Sequence, residues 1–202
     1  MNDRDSGHFR DGRPTEHQRS GLVRSGESLS RYTMTLVTDD VGEAVCAAGG
    51  WMIDRVRAGW RIEAVIPPDC DAKPLAILGV SATHADTESD PSWFTSRPAA
   101  LAVGIGVLSP ANPIRTQVHA LMRDPGIEIT IWGDGGFTSG RNFEAVQYQL
   151  SRAAQAFKAH AMRAASLSAR PVATEFLRSC TSWYPLDRGV DLDRVSPGGG
   201  SP

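Results

Sequence analysis

Hydrophobic and polar positions repeat with two different periods along this chain, and the switches between them mark its elements. Tyr32-Thr-Met-Thr-Leu-Val-Thr38 is a short apolar-rich run that predicts a buried strand. Directly after it, Val41, Ala44, Val45, Ala48, Trp51, Met52 and Val56 recur at helical spacing and predict a helix with one apolar face. Asp40 stands at the N-cap position with Glu43 three residues on, and Gly59 sits where a C-terminal glycine belongs. Trp60-Arg-Ile-Glu-Ala-Val-Ile66 then returns to a strand pattern. Strand, helix and strand joined by short turns predict a right-handed crossover with the two strands parallel.

The pattern continues in kind. Pro67-Pro68 ends the second strand, and Asp71 begins a short helix that tolerates Pro74 in its first turn, buries Leu75 and Leu78, and closes at Gly79. Val80 to Thr83 predicts a third strand, and the polar stretch from His84 to Pro98 a long connection pinned by Trp93 and Phe94. Ala99 to Leu108 is continuously apolar, as in a strand covered on both faces, and Gly104 and Gly106 let another backbone approach. Asn112-Pro113 starts a helix striped by Ile114, Val118, Leu121 and Met122, and Ile127 to Trp132 is a fifth strand. From Asn142, the spacing of Phe143, Val146, Leu150, Ala153, Phe157, Ala161 and Ala164 predicts one helix of roughly six turns. A short helix is expected over Val172 to Leu177.

These elements predict an α/β fold over residues 30–165, a three-layer Rossmann-like or flavodoxin-like domain with about five mostly parallel strands. Residues 1–29, rich in Arg, Asp, Gly and Ser, are expected to be a disordered tail. Residues 166–202 are expected to be a loosely attached segment ending in a free tail.

Composition narrows the functional classes. The 202 residues are 41% hydrophobic and 22% charged with a net charge of −2, so no overall field draws the chain to nucleic acid or anionic lipid. The arginines of the N-terminal tail (Arg4, Arg10, Arg13, Arg19, Arg24) are interleaved with acids, which leaves a DNA-associated role with the least support. The three cysteines form neither a CxxC nor a Cys/His cluster, and Cys46, near the apolar face of the first helix, is expected to be a small buried hydrophobe. No apolar leader opens the chain, and its longest apolar run is about half the ~20 residues of a membrane helix. The expected setting is a reducing cytoplasm, away from membranes.

In a parallel α/β sheet, function gathers in the loops after the strands, at the carboxyl edge. The first of these is Thr38-Asp39-Asp40, where the chain carries neither G-x-G-x-x-G nor G-x-x-x-x-G-K-[ST]. Asp39, Asp40 and Glu43 surround the helix start instead, complement its dipole and repel a phosphate, so a direct phosphate cradle is disfavoured. The second loop, Pro67 to Asp71, and the third, Ser109 to Asn112, are accounted for by helix starts. The fourth, Gly133-Asp-Gly-Gly-Phe-Thr-Ser-Gly140, exposes backbone and carries Asp134, the acid best placed to join Asp39 if strands one and five are close. Asp39, Asp40 and Asp134 are therefore the alternative metal set, for Mg²⁺. His119 and His160 have no partner at metal-ligand spacing, no G-x-S-x-G elbow is present, and no catalytic set can be assembled from sequence alone.

A strand ending in two acids that lead into a helix resembles the opening of response-regulator receiver domains. That resemblance implies that Asp39 and Asp40 bind a metal ion. The chain departs from the pattern elsewhere. Its third strand runs into His84 rather than a phosphoacceptor aspartate, its fifth into Trp132-Gly133-Asp134 rather than a lysine, and only Ser109 matches the small hydroxyl after the fourth strand. The sequence thus predicts a non-catalytic regulatory or protein-interaction module with a protein partner and no cofactor. The alternative is a Mg²⁺-dependent enzyme or nucleotide-binding protein, degenerate and receiver-like, using the acids at the sheet edge.

Overall fold

The computed structural model describes residues 33–85, 97–136, 141–168, 170–180 and the backbone of 193–194. The expected disordered tail, the connection holding Trp93 and Phe94, and the end of the C-terminal segment lie outside them. Strands β1 (Thr33–Val37), β2 (Arg61–Ile66) and β3 (Ser81–His84) alternate with helices α1 (Val41–Arg57) and α2 (Lys73–Ile77). β4 (Ala100–Gly104) runs into a 3₁₀ turn, Ile105–Leu108, then helix α3 (Arg115–Met122) and β5 (Glu128–Trp132). β6 (Glu144–Gln149), helix α4 (Arg152–Ala164), β7 (Thr174–Cys180) and the two-residue β8 (Asp193–Arg194) complete the order.

Among the described residues one sheet holds all the strands, in the order β3-β2-β1-β4-β5-β7-β6-β8. β1 to β5 pair in parallel, whereas β7 is antiparallel to both β5 and β6. Helices α1, α2 and α4 cover one face, where Trp51 and Met52 of α1 join Met34, Leu36 and Ile62 of the sheet in one core. The other face, with Val37, Leu101, Val103, Ile129 and Ile131, is covered by Val118 and Met122 of α3. Two apolar cores on one sheet follow from strands that are hydrophobic on both sides. No helix among the described residues is long and apolar enough to cross a membrane.

The first turn of α1 forms as its sequence predicts. Asp40 Oδ1 accepts the Glu43 N–H at 3.0 Å, and Gly59 leaves the helix at φ +94. Gly79 likewise takes positive φ after α2.

Several expectations are corrected. Among the described residues the sheet has seven full strands and a two-residue strand rather than about five, and only its first five are parallel. Those five follow the order 3-2-1-4-5 of doubly wound nucleotide folds, not the 2-1-3-4-5 of flavodoxin-like and receiver domains. The long helix from Asn142 divides into β6 and α4, because Ser151 caps the N-terminus of α4 through the Ala154 N–H at 3.0 Å. Asp54 of α1 fixes this corner, accepting the Tyr148 hydroxyl at 3.0 Å and the Ser151 hydroxyl at 2.7 Å. The short helix expected over Val172 to Leu177 is instead part of β7, which lies between β5 and β6 and buries Glu175, Leu177 and Ser179. The segment after residue 165 therefore supplies a strand of the sheet's interior. Cys46 is exposed, not a core residue, because it falls just outside the apolar stripe of α1.

Candidate active site

The strand order creates one topological switch point. From β1 the chain proceeds outward through β2 and β3, then returns to β1's other side as β4, so the carboxyl ends of β1 and β4 part around a crevice. Register keeps the ends level: Val37 pairs with Val103, and Gly104 with Trp132. Thr38 to Asp40, Ile105 to Gly106 and Gly133 to Asp134 thus share one edge.

The loop after β1 is held by its own hydroxyl. Thr38 Oγ1 donates to the Asp40 carbonyl at 2.8 Å and accepts the Asp40 N–H at 3.2 Å, which turns Asp39 outward. The Asp39 carboxylate lies against Gly106, where a Cβ would collide with it. Glu43, one turn into α1, leans toward the end of β5, since a Cβ on Gly133 would stand 2.8 Å from its Oε1. Burial raises the Glu43 carboxyl above its ordinary value, and the negative charges of Asp39, Asp40 and Asp134 raise it further. The three acids expected from sequence are therefore near enough to act on one carboxyl. Among the described residues, none of the four forms an ion pair.

Asp40 is committed to its cap, and among the described residues no three His, Cys, Asp or Glu side chains stand close enough to cage a metal ion. The acids fit an all-protein metal cage poorly. Asp71 lies away from the crevice, beyond β2, where its Oδ1 accepts the Lys73 N–H at 2.8 Å.

A cavity of about 460 Å³ adjoins the acids, between the 3₁₀ turn, α3 and the loop after β5. Asp134 lines it from the β5 side, Ser109, Arg115 and His119 from the other. Arg115 Nε donates to the Leu108 carbonyl at 2.9 Å, which holds the guanidinium beside the 3₁₀ turn. His119 Nε2 is buried without a hydrogen-bond partner, and burial, then Arg115 and Arg123, lower its pKa. The Gly-rich loop is tied back by Arg178, which donates to the Gly135 carbonyl at 3.1 Å. Sequence reasoning set His119 aside and missed Arg115. The signal was their i, i+4 spacing on one short helix, which puts both on one face.

The sequence matches no protein-family model and no curated protein. Solved structures share the fold. The A40926 pseudoaglycone deacetylase is 13% identical with a TM-score of 0.53, over 67% of this chain and 82% of its own. A deacetylase solved in complex with teicoplanin is 10% identical with a TM-score of 0.53, over 81% of this chain and 98% of its own. A triple mutant of the deacetylase in the teicoplanin pathway is 9% identical with a TM-score of 0.52 and covers 73% and 96%. These likenesses overturn the expectation of a non-catalytic regulatory or protein-binding module. That expectation rested on the lack of a familiar motif at the strand ends, whereas the solved structures of like fold named above are those of deacetylases.

Proposed function

We propose that the chain is a hydrolase that removes an acyl group from an amide nitrogen of a small molecule, in the crevice between β1, β4 and β5. The observation that carries this reading is the gathering of Asp39, Glu43 and Asp134, unpaired among the described residues, at the switch point where α/β folds bind ligands. The deacetylases of like fold support the reaction class.

Two carboxyls in unlike surroundings suit this chemistry. Asp39, exposed at the crevice, acts as general base, and Glu43, whose raised pKa favours the protonated form, acts as general acid. Water adds to the amide carbonyl carbon as its proton passes to Asp39. The C–N bond then breaks as Glu43 gives its proton to the departing nitrogen, leaving a carboxylic acid and an amine. The amine, once protonated, is held by the surrounding negative charge.

The test is acid release from a panel of N-acetylated sugars, amino acids and amines. Asp39→Asn and Glu43→Gln are each expected to lower kcat by ~10²-fold or more, with folding intact by circular dichroism. Activity should fall as pH rises through the raised Glu43 pKa, and Glu43→Gln should abolish that limb. Wild-type protein inactive on every member of the panel would reject the reading.

A second reading takes the same acids as a Mg²⁺ site, favoured by their lack of ion pairs among the described residues. One or two of Asp39, Asp40 and Asp134 would hold the ion, which keeps most of its waters. Mg²⁺ at a hundredfold excess over its dissociation constant should then stabilise the fold by ~2.7 kcal/mol. Thermal melts decide it: a gain that disappears in Asp39→Asn, Asp134→Asn supports the metal, and an unchanged midpoint removes it.

A further inference from the structure

The cavity beside the acids has walls of opposite character. Asp134 stands on the β5 side, while Arg115 and His119 project from α3 on the other. Arg115 spends only its Nε on the Leu108 carbonyl, and no ion pair engages its two terminal nitrogens among the described residues. The buried, unpartnered Nε2 of His119 is a second sign, because a polar atom removed from water without a partner is uncompensated until something binds. Ile105, Leu108 and Pro110 supply the apolar part of the lining. A guanidinium beside an imidazole over an apolar floor suits a planar anion, and a carboxylate matches the guanidinium fork.

We propose that this cavity seats a carboxylate arm of the substrate, so that the molecules taken are N-acylated compounds that also carry an anionic group, of the N-acyl amino acid class. The amide half of the proposal rests on the hydrolase reading above; the anion half stands on the cavity. The substrate would then lie across the crevice, its amide at Asp39 and Glu43 and its carboxylate at Arg115. The charged groups around His119 are Arg115 on its own helix, Arg123 just past that helix's end, and Asp134, which lines the same cavity. With burial and two arginines depressing its pKa, His119 is neutral at neutral pH when the cavity is empty, and a bound carboxylate restores its proton affinity.

Binding of N-acetylglycine and of its neutral counterpart N-acetylglycinamide tests this, by calorimetry and by NMR of the His119 ring. N-acetylglycine is expected to bind at least about tenfold more tightly. It should also raise the His119 titration midpoint, and the amide should not. Arg115→Gln should bring the preference to about one, Arg115→Lys should restore part of it, and His119→Phe, which keeps an aromatic ring but no ring nitrogen, should weaken it. Equal or absent binding of the two compounds, with the His119 midpoint unmoved, would overturn the proposal. Tight N-acetylglycine binding with the His119 response but no cleavage would leave the anion subsite standing and remove the hydrolase reading. Cleavage of neutral amides without the His119 response would do the reverse.

Discussion

Gly50 and Trp51, adjacent on α1, place opposite demands on volume. Trp51 is fully buried, and the Arg55 guanidinium lies 4.7 Å from its ring and 4.3 Å from that of Trp60. Glu128 completes the group, accepting from Arg55 at 2.7 Å. Trp51→Ala should therefore cost ~3–5 kcal/mol in denaturant unfolding; a loss below ~1 kcal/mol would mean the ring is not part of the core. Gly50 has no room at all, since a Cβ there would collide with Leu150. Gly50→Ala should destabilise the protein although alanine is the better helix former by up to ~1 kcal/mol, and a raised midpoint would contradict the close approach. The tryptophan was legible in the sequence because periodicity reports burial. The glycine was not, because its partner is fixed only by tertiary contact. The same limit applied at the site, where Asp39, Asp40 and Asp134 were picked out by their place after strands, but Arg115 and His119 needed the fold to join them.

β1, α1 and β2 were read correctly from local pattern, the strand expected over Ala99 to Leu108 ends at Gly104 in a 3₁₀ turn, and elements decided by distant partners were missed. Phe143, Val146 and Leu150 fit a helical period, yet Val146, Tyr148 and Leu150 also alternate, and the pairing of β6 with β7 selects the strand. Partner choice shows most clearly in the contact of β7 with α1 and α4. Glu175 of β7 accepts the N–H groups of Gly50 and Trp51 at 2.7 and 2.8 Å and pairs with Lys158 Nζ at 2.6 Å, both side chains 1% exposed. One carboxylate thus ties three elements together, a link that the spacing of residues along the chain does not reveal. Removing one partner leaves a buried charge uncompensated, so Lys158→Met should cost ~3–5 kcal/mol. Adding Glu175→Gln should recover part of that loss, since the amide oxygen still accepts one of the two backbone N–H groups without carrying charge. Equilibrium unfolding of the two variants checks this, and a double variant no better than the single would assign the loss to packing rather than charge.

For the molecule as a whole, the parallel half of the sheet was legible because each strand and helix announces itself and short connections force neighbours together. The order of the strands was not, and neither was the crevice, because both depend on which side of β1 the chain returns to. Nor was the antiparallel half, in which β7, late in sequence, inserts between β5 and β6, with Ile129 opposite Cys180 and Val146 opposite Leu177. That position gives β7 a weight its composition does not suggest. Without it, β5 loses its partner on one edge and β6 its pairing from Glu144 to Gln149, and the Glu175 anchor is removed from α1 and α4. A chain ended after Ala173 should then show no cooperative unfolding transition, and its unpaired strand edges should make it aggregate. Tryptophan fluorescence during urea titration reads the outcome directly, through Trp51 and Trp132, which the intact core buries. A truncated chain that stayed monomeric and unfolded in one transition near the full-length midpoint would show that the parallel five-strand unit stands without the strand that completes its sheet.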